Sequence, residues 1–486
     1  MRINKTTLKL LVVLISAIIV ATVLFHVPIT IVNAVTGQQA PEFGIHISVW
    51  RILFEPFLGL LLFFNQSFYA IKEFVFFLFW ILAGILIFTV IKSFRIREGQ
   101  DRKRFLFSQF LNLLLVAGIG FSVFDVMIFI PLPNNVIVNK SKNLVLVTTH
   151  SHTEYSHDGL ISRKGLLEWH RRNRFDAFFI TDHNNHCRTL EFVKDCADQS
   201  SPGYPNVFGG EEFSGTNHLS LLGLKNEFGT KGFSDSTAIQ HTRSDNGAVI
   251  VNHWFDGEHQ SLEYYRDLGV DGFEIENTAT DKRYDRKLYQ TIREFCVSNH
   301  LIMVGGLDYH GYGSACSIWN AFDVPNWKTM DSNSKETAIL HILRSHDQSR
   351  LNVLLYNDRS YYNQKNLVLR TPLTIINYFR TLNLPQVISW IIWILLFAIV
   401  NAWIKASSQL SERYSCQRLI PVTGFIGAVF LLILGTTYLL SVQVVDNFTT
   451  MYHEYSSLLL KAGAVFLILS GFVAWHRMKK GKQIKK

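Results

Sequence analysis

The chain has 486 residues, a formal net charge of +9 and a hydrophobic share of 48%. This length fits about two or three domains. Its apolar residues are concentrated in residues 1–135 and 385–475, whereas residues 140–373 have the composition of a soluble domain. Because the basic residues cluster beside the apolar runs, the positive charge indicates membrane topology rather than a nucleic-acid partner.

The amino-terminal part contains three apolar runs long enough to cross a bilayer, which takes about 20 residues as a helix. They are Leu8–Val35, Phe74–Ile91 and Phe105–Pro131. We interpret the first as an anchor, because it is too long for the apolar core of a signal peptide and lacks a clear cleavage site. A shorter apolar run, Ile52–Phe64, contains Glu55 and Pro56. It is predicted to be an interfacial or re-entrant helix, or a further span.

The carboxy-terminal part contains three more predicted spans, Val387–Ile404, Leu419–Leu440 and Ser457–Trp475. Basic clusters lie at the amino terminus, in segments 92–104 and 405–418, and in the tail. With six spans, the positive-inside rule places all these clusters and both termini in the cytoplasm. The middle domain is then extracytoplasmic. Counting Ile52–Phe64 as a seventh span would put one basic cluster on the outside.

Cysteine usage is compatible with an exported middle domain. Four of the five cysteines lie in that domain, and Cys416 lies in a predicted cytoplasmic loop. An even number in an oxidising compartment permits two disulfides, Cys187–Cys196 and, by elimination, Cys296–Cys316. Four unpaired buried thiols are an equal alternative. Metal ligation by these cysteines is disfavoured, because the chain has no Cys-x-x-Cys spacing.

In the middle domain, short apolar strands repeatedly end in histidine or carboxylate residues. The runs are Leu144–Val147, Ala177–Ile180, Asn206–Gly209, Ala248–Val251 and Ile302–Gly306, and His218 opens another strand. Helix-like segments between several of them predict an α/β barrel or a doubly wound sheet. Ligand-type residues at successive strand ends favour the barrel, whose C-terminal face collects residues from many strands.

Histidine, aspartate and glutamate at this density suit borderline divalent ions such as Zn²⁺, Mn²⁺ or Fe²⁺. A single His-x-His is a weak signal. Here it is accompanied by Asp-His, Gly-x-Glu, a strand-end His and Asp-x-His, all at strand ends. Such a set exceeds what one four- to six-coordinate ion can use. We therefore expect two or three divalent ions close together.

Residues from about 144 to 360 resemble a PHP (polymerase and histidinol phosphatase) domain. THSHTEYSHDG resembles the first motif of that family and ITDHN the second. GGEEFSG followed by NHLSLLG resembles its central Glu and His, VNHW its strand-end His, and GGLDYH its closing Asp-x-His. The resemblance implies a distorted (βα)7 barrel, here flanked by transmembrane α-helices. It also implies up to three bound divalent ions and hydrolysis of phosphate esters.

The resemblance further implies nine metal ligands, which are His150, His152, Asp158, His183, Glu212, His218, His253, Asp308 and His310. Two of these positions are open. His157 could replace Asp158, which we favour because it directly precedes Gly159. Glu211 could be the ligand in place of Glu212. We favour Glu212, because it lies two residues after Gly210.

The expected reaction uses hydroxide from metal-bound water, while the ions neutralise charge that builds on the phosphate. Glu212 and Asp308 are the predicted bridging carboxylates, and Asp308 or a neighbouring histidine is the candidate proton carrier. Arg163 is a candidate phosphate-binding residue, although a solvated helix start is the simpler interpretation of that position. The residues predicted to orient the ligands are Asp182, Asn184 and His186.

These observations predict a membrane-bound phosphoesterase that acts on a phosphate ester, lipid-linked or membrane-proximal, at the outer face. One alternative is a general scavenging phosphatase that the spans merely anchor. The other is a non-catalytic sensor or scaffold that binds metal. No nucleic-acid partner is expected, because the basic residues are mostly juxtamembrane. The predicted domains are a membrane region (1–135), the hydrolase (140–373), and a second membrane region with a basic cytoplasmic tail (385–486).

Overall fold

The structure is a computed structural model. It describes residues 5–65, 68–96, 100–198, 203–256, 260–279, 286–357, 366–406, 416–445 and 448–484. Helices dominate both ends of the chain, and a large sheet with flanking helices forms the middle part.

The amino-terminal part is helical and carries two short strands. Its elements are α1 (Lys5–Leu24), β1 (Thr30–Asn33), β2 (Phe43–Ile47), α2 (Val49–Leu53), α3 (Glu55–Phe64), α4 (Phe68–Ser93) and α5 (Gln100–Phe129). The first predicted span was too long. Helix α1 ends at Leu24, ahead of Pro28, and the residues that follow form β1. Proline removes a backbone donor and clashes with the preceding turn, which explains the early stop.

The middle part alternates strands with helices. Its strands are β3 (Asn135–Asn139), β4 (Leu144–Thr148), β5 (Ala177–Ile180), β6 (Asn206–Ser214), β7 (His218–Leu222), β8 (Ala248–Val251), β9 (Gly272–Asn277), β10 (Ile302–Gly306), β11 (Ile318–Asp323) and β12 (Leu351–Asn357). Its helices are α6 (Arg163–Arg172), α7 (Cys187–Asp198), α8 (Asp235–Ser244), α9 (Leu262–Leu268), α10 (Arg286–Asn299), α11 (Ser332–Arg344) and α12 (Leu367–Arg380). Serine side chains cap the amino termini of α6, α8 and α9, which fixes where these helices begin.

The carboxy-terminal part consists of α13 (Leu384–Ala406), α14 (Cys416–Leu440), the strand pair β13 (Val444–Val445) and β14 (Phe448–Thr449), and α15 (Tyr452–Ile484). Among the described residues, six helices are long and apolar enough to cross a membrane: α1, α4, α5, α13, α14 and α15. Helix α3 has 10 residues, about 15 Å, which is half of a bilayer core of about 30 Å. It is therefore too short to be a span. Parts of the predicted basic loops (97–99 and 407–415) and the end of the tail (485–486) lie outside the described residues.

Within the described part of the chain, ten strands form one curled sheet in the order β1-β12-β11-β4-β5-β6-β7-β8-β9-β10. Strands β4, β5 and β6 pair in parallel, as do β8, β9 and β10. The sheet curls until β10 approaches β11 and β4. There the Gly305 N–H donates to Asn320 Oδ1 at 2.7 Å, and Ser151 and Tyr309 form a parallel bridge just beyond β4 and β10.

The predicted strand count of seven was wrong, because the sheet has ten strands. Only three residues separate β6 from β7, too few for a crossover helix, so β7 pairs antiparallel with both neighbours. Beyond β4, the antiparallel strands β11, β12 and β1 extend the sheet. Strand β1 comes from the amino-terminal part, outside the predicted 140–373 segment.

The inner face of the curled sheet is apolar along most of its length. Val147, Phe179, Ile250 and Val304 pack there with residues of α11, including Ile339. The helices α6 to α10 cover the outer face. The buried apolar residues give way to buried polar ones at the carboxyl ends of the strands. This edge is therefore the place where the fold gathers polar side chains.

The four cysteines of the middle domain are thiols rather than the two predicted disulfides. Cys187 and Cys196 lie on the same helix, nine residues apart. That spacing separates their Cα atoms by about 13 Å along the helix axis, roughly twice the span of a disulfide. Cys296 and Cys316 are buried, and the other two are half-buried.

Candidate metal centre

The His-x-His and Asp-x-His motifs lie side by side at the carboxyl edge of the sheet. The Asp308 N–H donates to the His150 carbonyl at 3.1 Å, and the His152 N–H donates to the Tyr309 carbonyl at 2.9 Å. These two bonds join the segments that follow β4 and β10, two strands that are not neighbours in the sheet. The curl of the sheet thus joins its first and last ligand-bearing segments.

Glu212, near the carboxyl end of β6, is at the centre of the cluster. Its Oε2 lies 3.2 Å from the Nε2 atoms of His150, His152 and His183. Its Oε1 lies 3.1 Å from His218 Nδ1 and 3.2 Å from His253 Nε2. One buried carboxylate therefore contacts imidazoles that come from four different parts of the chain.

The ligand atoms form three groups whose members lie within 4.8 Å of one another. The groups are His150, His152, Glu212 and Asp308; His152, Asp158, His183 and His310; and His183, Glu212 and His218. His253 adds to the first group, since its Nε2 lies 4.0 Å from Asp308 Oδ2. Glu212 belongs to two groups and Asp308 to one, so the arrangement favours Glu212 as a bridge between ions. All nine predicted ligands are brought together.

The two open positions have distinct surroundings. Asp158 Oδ2 lies 3.0 Å from His310 Nε2 and 3.3 Å from His183 Nε2, whereas the His157 side chain is 64% exposed. Glu211 points away from the cluster and pairs with His186 Nδ1. The structure thus favours Asp158 and Glu212 as ligands.

Two residues of the cluster have backbone conformations that L-residues rarely adopt. His253 has φ 22° and Asp308 has φ 51°. Such strain persists where the surrounding structure over-determines it, and it is concentrated at functional sites. Here each residue is the second after the end of a strand, β8 or β10, and turns its side chain towards Glu212.

The cluster satisfies the chemistry of divalent metal binding. His150 and His152 are fully buried, and their Nε2 atoms lie only 3.0 Å apart. Imidazole nitrogens that converge on each other and on carboxylates need a cation or shared protons between them. The histidine, aspartate and glutamate set suits ions such as Zn²⁺, Mn²⁺ or Fe²⁺. The residues present therefore fit a divalent metal centre.

The pKa shifts of the clustered side chains likewise indicate that the carboxylates require positive charge nearby. Burial alone raises the pKa of Glu212, but the nearby His150 and His183 imidazoles outweigh it and hold that pKa well below its usual range. Burial alone lowers the pKa of His152, but hydrogen bonds to Asp308 and Glu212 raise it to about 10. For His183 burial prevails and lowers the pKa to about 4. Without metal, we expect protons on some of the imidazoles to neutralise the carboxylates.

The remaining predicted site residues surround the cluster. Asp182 accepts bonds from the Thr153 N–H at 2.6 Å and the Thr153 hydroxyl at 2.7 Å, which braces the first motif. Asn184 accepts a bond from the Ser214 N–H at 3.1 Å. The Arg163 guanidinium donates to the Arg188 carbonyl and packs over the rings of Tyr155 and Phe192, so its described contacts are outside the cluster. Its phosphate-binding role remains a prediction.

Sequence reasoning missed Glu274 and Asn252. Glu274 Oε1 lies 2.8 Å from His150 Nδ1, and its Oε2 accepts the His253 N–H at 2.9 Å. Asn252 donates to Glu212 Oε1 at 2.8 Å. The available signal was the pair of acidic residues at alternate positions of β9, a strand with no exposed residue. Carboxylates on a fully buried strand require partners.

Glu274→Gln is expected to weaken metal binding by about 10- to 100-fold, because Glu274 orients the His150 ring and increases its basicity. Titration of the metal-free protein with Zn²⁺ or Mn²⁺ measures this change. Glu276→Gln is the matched control, since Glu276 lies on the same strand but pairs with Arg286. Equal losses of affinity in the two variants would contradict the assigned role.

The loop after His310 lies against the ends of the apolar helices. The Gly313 N–H donates to the Ile128 carbonyl at 2.9 Å, near the end of α5. The Ser314 N–H donates to Asn65 Oδ1 at 3.0 Å, at the end of α3. The Tyr312 hydroxyl donates to Met451 Sδ at 3.7 Å, just before α15. The cluster of ligand side chains is therefore close to the ends of the apolar helices.

Residues 148–309 match the PHP domain family. The matched segment contains eight of the nine predicted ligands, and His310 directly follows it. This confirms the resemblance for about a third of the chain. No curated protein matches the chain.

Three solved structures are similar to part of this chain. A Bifidobacterium adolescentis protein, provisionally named a metal-dependent phosphoesterase, is 16% identical with a TM-score of 0.28, over 35% of this chain and 88% of its own. PsfC from Pseudomonas syringae is 16% identical with a TM-score of 0.32, over 48% of this chain and 97% of its own. An amidohydrolase from Chromobacterium violaceum is 12% identical with a TM-score of 0.28, over 39% of this chain and 96% of its own.

Proposed function

We propose that this protein is a membrane-bound, metal-dependent phosphoesterase. The observation that carries the proposal is the set of three ligand groups, each pair of which shares one residue, His152, His183 or Glu212. Ions held a few ångströms apart can bind two oxygens of one phosphate, a geometry suited to in-line displacement at phosphorus. The match of residues 148–309 to the PHP family supports the same reaction class.

In this proposal the nine side chains hold two or three ions. When bound, the ions supply hydroxide at neutral pH and neutralise charge on the phosphate. His183 is ready to bind as a neutral imidazole, because burial lowers its pKa to about 4. The half-exposed side chains of Asp158 and His218 mark the side from which substrate enters. Asp308 is the proposed proton acceptor.

We further propose that the substrate is lipid-linked. Gly313 contacts the end of α5 and lies three positions after His310, at most about 10 Å along the chain. A phosphate bound to the cluster would then lie near the level at which the helices leave the bilayer. By the positive-inside rule this is the extracytoplasmic side, with both termini in the cytoplasm.

The test of this function uses the full-length protein with added Mn²⁺ or Zn²⁺. The panel contains p-nitrophenyl phosphate, bis-p-nitrophenyl phosphate and phosphate-bearing lipids in vesicles. Wild type is expected to hydrolyse at least one ester. His150→Ala should lose about a hundredfold or more, as for loss of a residue of the metal centre. Bound metal with no hydrolysis of any ester would instead favour the sensor or scaffold. Equal efficiency on soluble and lipid esters would favour an anchored scavenging phosphatase.

The sidedness has a separate test. A reporter fused near residue 330 is expected to report the extracytoplasmic side in intact cells. A fusion after residue 405 serves as the control and is expected to report the cytoplasm. A cytoplasmic signal near residue 330 would overturn the proposed topology.

A further inference from the structure

Three helices that are too short to span a membrane surround the ends of the spanning helices. They are α2, α3 and α12, and we call them the collar. Helix α12 has 14 residues, about 21 Å, against a bilayer core of about 30 Å. Its end meets the end of α1, where the Val27 N–H donates to the Arg380 carbonyl at 3.0 Å. The end of α3 meets the end of α5, where Asn65 donates to the Met127 carbonyl.

The amphipathic pattern of α12 is reversed relative to a helix on a water-soluble surface. Its buried residues include Arg370, Thr371, Thr374, Asn377 and Tyr378. Its exposed residues Leu369, Leu373 and Ile376, spaced by four and three positions, form an apolar stripe. A helix that buries its polar face and exposes its apolar face is suited to lipid rather than to water.

Helices α2 and α3 continue this apolar surface with aromatic residues. Trp50 is 64% exposed and lies next to Phe54, with ring centroids 6.4 Å apart. Phe54 and Phe57 pack against Trp393 of the spanning helix α13, at 6.0 and 4.9 Å. Tryptophan and other aromatic residues are enriched where a protein crosses from the bilayer core to the headgroups. The collar thus continues the apolar surface of the spanning helices at their ends.

A chain of buried polar side chains connects the collar to the spanning helix α13. The Trp390 indole N–H donates to the Tyr378 hydroxyl oxygen at 2.9 Å. The Tyr378 hydroxyl donates to Glu55 Oε1 at 3.0 Å, and Glu55 Oε2 lies 3.5 Å from Arg51 Nε. Glu55 and Tyr378 are completely buried. Gly59 leaves the space that the Glu55 carboxylate occupies.

The same polar chain continues into the hydrolase sheet. The Arg51 guanidinium donates to Asn135 Oδ1 at 2.8 Å, and the Asn135 amide donates to the Tyr356 hydroxyl oxygen at 2.6 Å. Tyr356 belongs to β12, which pairs with β11 and β1. A buried ion pair contributes little net stability, but its directional bonds favour one arrangement of the parts they join. The polar chain therefore fixes the sheet relative to the collar.

At its other end the collar holds the loop of the metal centre. Asn65, directly after α3, accepts the Ser314 N–H, and this position is four residues beyond the ligand His310. Asn65 is 2% exposed, so the contact is shielded from water. The start of α3 thus belongs to the chain of buried polar side chains, and the residue after its end contacts the loop that follows the ligand His310.

We propose that the collar lies in the headgroup layer of the leaflet on the hydrolase side and sets the metal centre at the depth of the lipid phosphates. The substrate class is accordingly a lipid whose phosphate lies in that layer. Glu55 and Tyr378 are positioning residues that act by holding the sheet in register with the collar. This inference rests on the proposed function and adds to it the depth of the reaction and the elements that set it.

The kinetic test compares Glu55→Gln and Tyr378→Phe with wild type in full-length, metal-loaded protein reconstituted in phosphatidylcholine vesicles. Phosphatidic acid in the vesicles and soluble p-nitrophenyl phosphate are the two substrates. Each variant is expected to lose about tenfold in rate on the lipid and less than about twofold on the soluble ester. Tyr264→Phe is the matched control, because it removes a hydroxyl that donates to Asp235 at 3.3 Å, far in sequence from the collar. Parallel losses on both substrates, or no loss on either, would overturn the positioning role.

A second readout does not depend on activity. p-Benzoylphenylalanine in place of Leu373 is expected to crosslink to lipid, whereas the same group in place of the exposed Val297 of α10 is not. Lack of a lipid crosslink at position 373 would overturn the location of the collar. A lipid crosslink at position 373 in a protein that hydrolyses no phosphoester would contradict the proposed function but support the location of the collar. Failure of the function and failure of the collar's location are therefore distinguishable.

Discussion

Glu212→Gln is expected to reduce hydrolysis by about a thousandfold and to lower the number of bound metal ions. Glu212 touches five imidazoles and belongs to two of the three ligand groups. Glutamine keeps the shape but removes the negative charge that holds adjacent cations together. Losing the charge stabilisation that metal ions supply costs several kcal/mol in the transition state, and about 4 kcal/mol corresponds to this factor. Metal content by mass spectrometry and the rate on the best ester measure both effects.

Glu211→Gln is the matched control for that experiment. The two glutamates are adjacent and both are buried, yet Glu211 pairs with His186 rather than with the cluster. We expect Glu211→Gln to lower the melting temperature while keeping the metal content of wild type. If Glu211→Gln loses metal and Glu212→Gln retains it, the assignment of the central carboxylate is reversed.

The ligand positions were accessible to sequence reasoning because they follow from local patterns. Each apolar run predicted a strand, and the carboxyl ends of neighbouring strands meet at one edge of a sheet. His150, His183 and Asp308 could therefore be placed together although they are far apart in the chain. The spacing to Gly159 also pointed to Asp158, whose carboxylate the structure places between His183 and His310.

Other features depend on long-range packing that no local pattern carries. Glu274 becomes relevant only because β9 lies beside β8, so that its carboxylate reaches the His150 ring. The strands beyond the predicted seven also depend on long-range packing, since β1 joins the sheet by pairing with β12, more than 300 positions later. The contact of Glu55 with Tyr378 likewise bridges 323 positions. Sequence reasoning brought the candidate metal ligands together but did not identify the residues that support them.

Metal loading of the metal-free protein at pH 7 is expected to release protons, because histidine binds metal as the neutral imidazole. Burial by itself lowers the pKa of each histidine concerned, but nearby carboxylates outweigh it. Glu212, Asp308 and Glu274 raise the pKa of His150 well above its usual range. Hydrogen bonds raise the pKa of His152 to about 10, and Glu212 raises that of His253 to about 9. Calorimetry in buffers of different ionisation enthalpy counts the protons.

Two variants test this count at saturating metal. His253→Ala should release about one proton fewer, because it removes an imidazole that is protonated before metal binds. His183→Ala should leave the count unchanged, since burial lowers the pKa of His183 to about 4 and the ring is already a neutral imidazole at pH 7. Loading that releases no protons in wild type would contradict the picture of protonated imidazoles in the metal-free cluster.

The same shifts determine how metal removal changes stability with pH. A histidine whose pKa is raised on folding stabilises the fold fully below its unfolded pKa of about 6.5, and this contribution is lost as pH rises through the folded value. For His152 and His253 the folded values are about 10 and about 9. The metal-free protein is therefore expected to lose stability between about pH 6.5 and 10. Metal binding strengthens over that range because fewer protons compete for the ligands. The difference in melting temperature between metal-loaded and chelator-treated protein should then widen from pH 6.5 to pH 9.5, and a constant difference would show that protons and metal do not exchange at this cluster.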